Sequence, residues 1–141
     1  MTKQLDLVES KTDCVFCKIV AGEIPCFKIY EDENFLAFLD INPWVEGHTL
    51  VIPKKHYRWV WDLPENLIGQ YFAVCRKIAN HYRQVLKTEF IMSYIYGWEV
   101  PHAHIHLFPD ARGKIAMYPK IKRGQLSSEE GEKLAKRLRL I

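Results

Sequence analysis

The twelve residues from Glu99 to Asp110, Glu-Val-Pro-His-Ala-His-Ile-His-Leu-Phe-Pro-Asp, limit the fold more than any other stretch of the chain. Alternate side chains of a β-strand point the same way, at roughly 6.6 Å per pair of residues. As a strand, this segment places His102, His104 and His106 on one face and Ala103, Ile105 and Leu107 on the other. The apolar face needs a core to cover it, and the histidine face needs partners or a ligand. A lone strand histidine is usually structural, but three in register argue for function. Neutral imidazoles in a row offer a nucleophile, donors for phosphate oxygens and metal ligands. Protonating one disfavours protonating the next, which helps to hold the group neutral at pH 7.

The 141 residues, 48% hydrophobic and 13% aromatic, suffice for one domain with a real core. Residues 1–12 are polar and aperiodic and read as a flexible arm. Asp13 is placed to cap a short helix over Cys14-Val-Phe-Cys-Lys-Ile-Val-Ala, with Gly22 as its stop. Strand patterns follow at Phe27 to Tyr30, Asn34 to Asp40 and His48 to Ile52. Asp62-Leu-Pro-Glu65 has the form of a capping box before Leu67, Tyr71, Val74, Ile78, Tyr82 and Val85, spaced as one long amphipathic helix. Phe90 to Tyr96 and Val100 to Phe108 read as two more strands about a tight turn at Gly97 and Trp98. Ser127-Ser-Glu-Glu130 caps a final short helix whose Leu134, Leu138 and Ile141 suit packing. The expected class is α+β, a five-stranded antiparallel sheet with a long helix and short N- and C-terminal helices. The division is an arm over 1–12, a domain over 13–110 and a basic extension over 111–141.

No apolar run approaches the roughly 18 residues that cross a bilayer, and Lys3, Asp6, Glu9, Lys11 and Asp13 replace a signal-peptide core. The expectation is a cytoplasmic protein with no membrane partner. Its four cysteines are then reduced, and Cys14-x-x-Cys17 points to thiol or metal chemistry ahead of a disulfide. Residues 1–110 hold 11 basic and 14 acidic side chains, residues 111–141 hold 9 and 3. The basic tail reads as a solvated helix face and carries no nucleic-acid fingerprint.

The chain resembles the histidine triad family of nucleotide hydrolases and transferases, in the branch with adenosine phosphoramidases and dinucleoside polyphosphate hydrolases. The likeness rests on Cys-Val-Phe-Cys-Lys-Ile-Val-Ala-Gly-Glu-Ile-Pro (14–25), Tyr-Glu-Asp (30–32), Phe-Leu-Asp-Ile-Asn-Pro (38–43), Gly-His-Thr-Leu-Val-Ile-Pro-Lys-Lys-His-Tyr (47–57) and Pro-His-Ala-His-Ile-His-Leu (101–107). It implies that His104 attacks the α-phosphorus of a purine nucleotide to give a nucleotidyl-imidazole, with His106, His48 and His102 as its companions. Asp40 resembles the carboxylate that receives the ribose hydroxyls, as an ionised carboxylate can hold a cis-diol. Val15, Phe16, Ile19, Phe38 and Ile41 resemble the walls of a base pocket, although each suits core packing equally well. In some bacterial members the equivalents of Cys14, Cys17, His56 and His102 bind one structural zinc, a set that meets the tetrahedral demand of that metal. The alternative is that both cysteines are buried thiols. A homodimer is a further implication.

The segment before the triad departs from the family. Ser93-Tyr-Ile-Tyr-Gly-Trp-Glu-Val100 is several residues shorter, lacks the usual asparagine, and has Trp98 in place of a glutamine and Glu99 where some members carry a serine that helps the leaving group. Glu99 would repel phosphate unless its carboxylate points away. Trp98 is placed to serve as a lid or stacking surface. The resemblance therefore implies either a working hydrolase or transferase of phosphoramidates and dinucleoside polyphosphates, or a weak or inactive purine nucleotide sensor.

Overall fold

A computed structural model of the chain describes residues 13–109 and 125–140. The expected arm over 1–12 and residues 110–124 and 141 lie outside that range. In chain order the elements are α1 (Val15–Val20), β1 (Lys28–Glu31), β2 (Phe35–Leu39), β3 (Thr49–Pro53), a 3-10 turn (Val60–Asp62), α2 (Glu65–Val85), β4 (Ile91–Tyr94), β5 (Ile105–Pro109) and α3 (Ser128–Leu138). The five strands form one antiparallel sheet in the order β1-β2-β3-β5-β4.

Strands β2, β3 and β5 are buried on both faces, and their alternation sorts side chains between two apolar clusters. Phe35, Ala37, Leu39, Val51, Ile105 and Leu107 face α2, which contributes Tyr71, Val74, Cys75, Ile78 and Tyr82, and α3, which contributes Ala135 and Leu138. Leu36, Phe38, Leu50 and Ile52 point the other way, onto Phe16 of α1. The apolar positions of the histidine segment therefore enter the α2 core, as their spacing predicts. Two buried tyrosines tie helix to sheet: Tyr71 Oη donates to the Val51 carbonyl at 2.6 Å, and Tyr82 Oη lies 2.6 Å from Thr49 Oγ1.

Several local expectations need correcting. Cys14, not Asp13, caps α1, because its Sγ accepts the Cys17 N–H at 3.3 Å. Pro64 precedes α2 without a side-chain cap, since Asp62 turns back to accept the Trp59 N–H at 3.1 Å. Ser127 does cap α3, through Glu130 N at 3.1 Å with the reciprocal bond at 3.3 Å. The histidine segment pairs as a strand only from Ile105 onward. Pro101 has no N–H to give, the His102 N–H closes a tight turn on the Val100 carbonyl at 2.8 Å, and the Ala103 N–H goes to Tyr57 at 2.7 Å. The link from β4 to β5 thus runs through residues 95–104 and is not a two-residue turn. Beyond α3, Leu140 N donates to the Ile29 carbonyl and Arg139 Nε to that of Lys28, both at 2.9 Å, so the C-terminal residues cover the edge at β1. Among the described residues no helix is long and apolar enough to cross a membrane.

Candidate active site

The three histidines of the row do not share one environment. His102 Nε2 lies 2.8 Å from the Pro53 carbonyl, and a carbonyl only accepts, so Nε2 carries the proton and Nδ1 the lone pair. That Nδ1 faces Cys14 Sγ at 3.2 Å, Cys17 Sγ at 3.5 Å and His56 Nδ1 at 3.2 Å, and Cys17 Sγ lies 3.3 Å from His56 Nδ1. All four donor atoms fall within 4.8 Å of one another. Zinc bonded at about 2.3 Å to sulfur and about 2.0 Å to nitrogen separates tetrahedral ligands by about 3.3–3.8 Å, so these spacings suit such an ion. Burial pushes His102 down to about 4, keeping it in the neutral form that ligates. The chain can therefore hold a metal between α1, the loop after β3 and the approach to β5.

His104 is oriented by the backbone of His102. Its Nδ1 lies 2.7 Å from the His102 carbonyl, so Nδ1 donates and Nε2 keeps the lone pair. Burial lowers its affinity for a proton and outweighs the opposing pull of that hydrogen bond. The ring is buried, with the edge of Phe16 packed against it at 5.3 Å.

The tautomer of His106 follows from a chain of bonds that starts at a backbone amide. Trp44 N–H donates to His48 Nδ1 at 3.2 Å, which leaves the His48 proton on Nε2. His48 Nε2 then donates to His106 Nδ1 at 2.9 Å, and the His106 proton is left on Nε2. That Nε2 is buried and, among the described residues, has no hydrogen-bond partner. An orphaned buried donor costs about 1–3 kcal/mol, which a ligand acceptor would recover. His106 stacks nearly parallel to Tyr96 at 4.9 Å and Trp44 at 5.8 Å, and burial pushes it down to about 2. Burial, more than repulsion within the row, is thus what keeps the histidines neutral. Asp40 Oδ2 lies 3.5 Å from His48 Nε2, while Oδ1 accepts the Asn42 N–H at 2.8 Å.

His104 and His106 open onto a cavity of about 310 Å³, within the usual range for small-molecule sites. Asp40, Val15, Phe16, Ile19, Phe38, Ile41 and Glu99 all line it, so every residue expected at a nucleotide site reaches this one space. His48 and His102 stand behind the wall, supporting the two rings that form it. Three further lining residues are Trp44, which by sequence falls near the pocket but reads as packing, Cys26, which carries no pattern, and Tyr96, which sequence reasoning missed. Tyr96 had a usable signal, since Tyr94 pairs with His106 and the period of two carries Tyr96 to the histidine face. Burial, then the charges of Glu99 and Asp40, pushes Tyr96 up to about 12, so it stays protonated.

Glu99 does not point away from the site: it forms part of the wall, and its charge favours protonation of His104. Trp98 is 74% exposed and lies outside the wall, beside Tyr96 at 5.4 Å, so it neither covers the cavity nor lines it. His81 lies half-buried on α2 beside Tyr82, apart from the site.

A model of the HIT domain matches residues 21–113, well over half of the chain. The chain is 39% identical over 113 residues to the adenylylsulfatase HINT3 of Arabidopsis thaliana, covering 72% of this chain and 56% of that protein. It is 38% identical over 112 residues to the adenosine 5′-monophosphoramidase HNT1 of Saccharomyces cerevisiae, covering 75% and 70%. Its structure matches the crystal structure of a zinc-bound histidine triad family protein from Mycobacterium smegmatis with a TM-score of 0.71 and 35% identity, over 92% of each chain.

Proposed function

Because the chain belongs to the HIT domain family, the histidine triad proteins, we propose that it is a nucleotide hydrolase or transferase that splits the α-phosphate linkage of a nucleoside phosphoramidate or a dinucleoside polyphosphate. The observation that carries this reading is the fixed tautomer of His104, which commits Nδ1–H to a carbonyl and leaves Nε2 as a neutral nucleophile on the cavity wall. The names of the yeast and plant relatives support the same kind of reaction.

In the first step the Nε2 lone pair of His104 forms a bond to the α-phosphorus as the bond to the leaving group breaks, its electron pair departing with that group, which as an amine also takes up a proton from solvent. The orphaned Nε2–H of His106 would donate to a non-bridging phosphate oxygen, an interaction that strengthens as negative charge gathers there. In the second step water attacks phosphorus and gives up a proton to solvent as the P–N bond breaks, and His104 regains its lone pair. Asp40 would take the ribose hydroxyls on the acceptor capacity left beside Asn42. Val15, Phe16, Ile19, Phe38 and Ile41 would enclose the base, and Glu99 would stand on the same cavity wall as His104. Zinc held by Cys14, Cys17, His56 and His102 would supply a structural clamp and no chemistry, since its four positions are filled. The homodimer and the cytoplasmic location belong to this proposal too. A dimer should give twice the chain mass in light scattering.

The test is intact-protein mass spectrometry during turnover of adenosine 5′-phosphoramidate. A gain of one adenylyl group, removed by acid and absent from His104→Ala, is expected. Release of AMP by wild type with no adduct, at an undiminished rate in His104→Ala, would refute the nucleophile. The charge of Glu99 beside His104 favours a second reading, a purine nucleotide sensor, which would bind AMP and turn over none of these substrates.

A further inference from the structure

His104 stands between two spaces, not one. Beside the base cavity lies a hollow of about 50 Å³, lined by Arg58, Trp59, Tyr96, Gly97 and His104 among others. Among the described residues only Tyr96 and His104 border both. A nucleoside seated in the large cavity with its α-phosphorus at His104 leaves the small hollow as the neighbouring space for the group beyond phosphorus. This hollow is much the smaller of the two and suits a small group such as a single tetrahedral oxyanion.

The cation there is held in place. Arg58 Nη1 donates to the Gly97 carbonyl at 3.1 Å, and its guanidinium carbon lies 3.9 Å from the centre of the Trp59 ring. The planar group is thereby fixed on one face and one edge, and among the described residues its other N–H groups make no hydrogen bond. Gly97 is required by this arrangement twice over. Its φ is +66°, and a Cβ there would stand 2.9 Å from the Trp59 ring. The segment that departs from the family before the triad is thus the segment that seats Arg58. The charge of Arg58 also disfavours protonation of His104, in keeping with their proximity.

We propose that Arg58 is a specificity-determining residue that binds a sulfate or phosphate leaving group in the hollow beside His104, so that the enzyme favours nucleotides whose α-phosphate carries a small tetrahedral oxyanion. This rests on the hydrolase reading given above. The bond broken is the one from the α-phosphorus to the bridging oxygen, whose electron pair leaves on the sulfate or phosphate as the His104 Nε2–phosphorus bond forms. Guanidinium hydrogen bonds to that oxyanion are charge-assisted and directional.

The experiment measures kcat/KM for adenosine 5′-phosphosulfate, ADP and adenosine 5′-phosphoramidate with wild type, Arg58→Gln and Arg58→Lys. The expected result is a fall of tenfold or more in the ratio of each anionic substrate to the phosphoramidate in Arg58→Gln, with Arg58→Lys between it and wild type. The two anionic substrates separate a sulfate site from a phosphate site. An unchanged ratio, including an equal loss on all three, would overturn the proposal. If wild type turns over none of them, the hydrolase reading fails, and the site is judged by calorimetry of inorganic sulfate and phosphate on the AMP-bound protein. At least tenfold weaker anion binding in Arg58→Gln is then expected, and equal affinity refutes the site.

Discussion

The chain of bonds from Trp44 through His48 to His106 can be cut at either end. The His48 ring is wholly buried, with Nδ1 accepting from Trp44 N–H and Nε2 donating to His106 Nδ1. Asparagine carries a polar atom where histidine has Nδ1, and glutamine one where it has Nε2. His48→Asn therefore keeps the acceptor for Trp44 and loses the donor to His106, while His48→Gln does the reverse. Each change leaves a buried polar group without its partner, at a cost of about 1–3 kcal/mol. In His48→Gln that cost falls on the folded state, through an orphaned backbone amide. In His48→Asn it falls on turnover, because His106 is free to move its proton to Nδ1 and present a lone pair to phosphate. At about 1.4 kcal/mol per factor of ten, kcat/KM should drop roughly 5- to 150-fold. Urea denaturation and AMP release from adenosine 5′-phosphoramidate, measured on both variants, should show stability and activity lost separately. Parallel losses in the two variants, or the reverse assignment, would refute the directed chain.

Three further outcomes follow from other parts of the molecule. If Cys14, Cys17, His56 and His102 hold zinc, a chelator should lower the Tm of metal-loaded protein. The loss is about 4 kcal/mol where free metal exceeded its Kd a thousandfold, or roughly 10 °C, and Cys17→Ser should not respond. His106 is held down to about 2 in the folded state against 6.5 unfolded, so below pH 6.5 only the unfolded chain gains this proton. Stability is complete above pH 6.5 and falls by about 1.4 kcal/mol per unit beneath it, so urea titrations at pH 7 and pH 5 should show wild type losing about 2 kcal/mol more than His106→Gln. Equal losses would place the acid sensitivity elsewhere. In α3, a Cβ on Gly131 would overlap the Phe27 ring. Gly131→Ala should thus destabilise by about 1–3 kcal/mol despite the better helix propensity of alanine, and a stability gain by denaturation would contradict the packing.

What was legible in the sequence was whatever depended on period and local spacing. Ala103, Ile105 and Leu107 alternate with histidines because one face of the segment meets α2, and the five strands and the long helix follow from the same rule. Contacts across long separations were not legible from spacing; the grouping of Cys14, Cys17, His56 and His102 was reached only through the family resemblance. Nothing in the order of residues reveals that a Trp44 amide sets the proton of a ring 62 positions later, because that depends on two distances and on which atoms donate. Cys14 displaced Asp13 as the cap of α1 because its sulfur already points inward, toward His102. Arg58 had no motif to mark it; its place follows from the left-handed turn at Gly97 and the ring of Trp59.

The two-residue spacing of the histidines acquires a physical meaning from His102. Its ring is held by Pro53 and by the cysteine–histidine group, while its carbonyl holds the Nδ1–H of His104. One residue thus joins the metal-competent group to the proposed nucleophile, through a side chain on one side and a backbone oxygen on the other. Displacing the ring would carry the carbonyl with it and release His104 to its other tautomer, whose Nε2 bears a proton and cannot attack. The proposed leaving-group side is built from different parts, Arg58, Trp59 and Gly97, which share a hollow with His104. On the proposed mechanism the segment from Gly97 to Glu99 can therefore vary, changing which group is expelled, while the bonds that prepare the attacking nitrogen stay as they are.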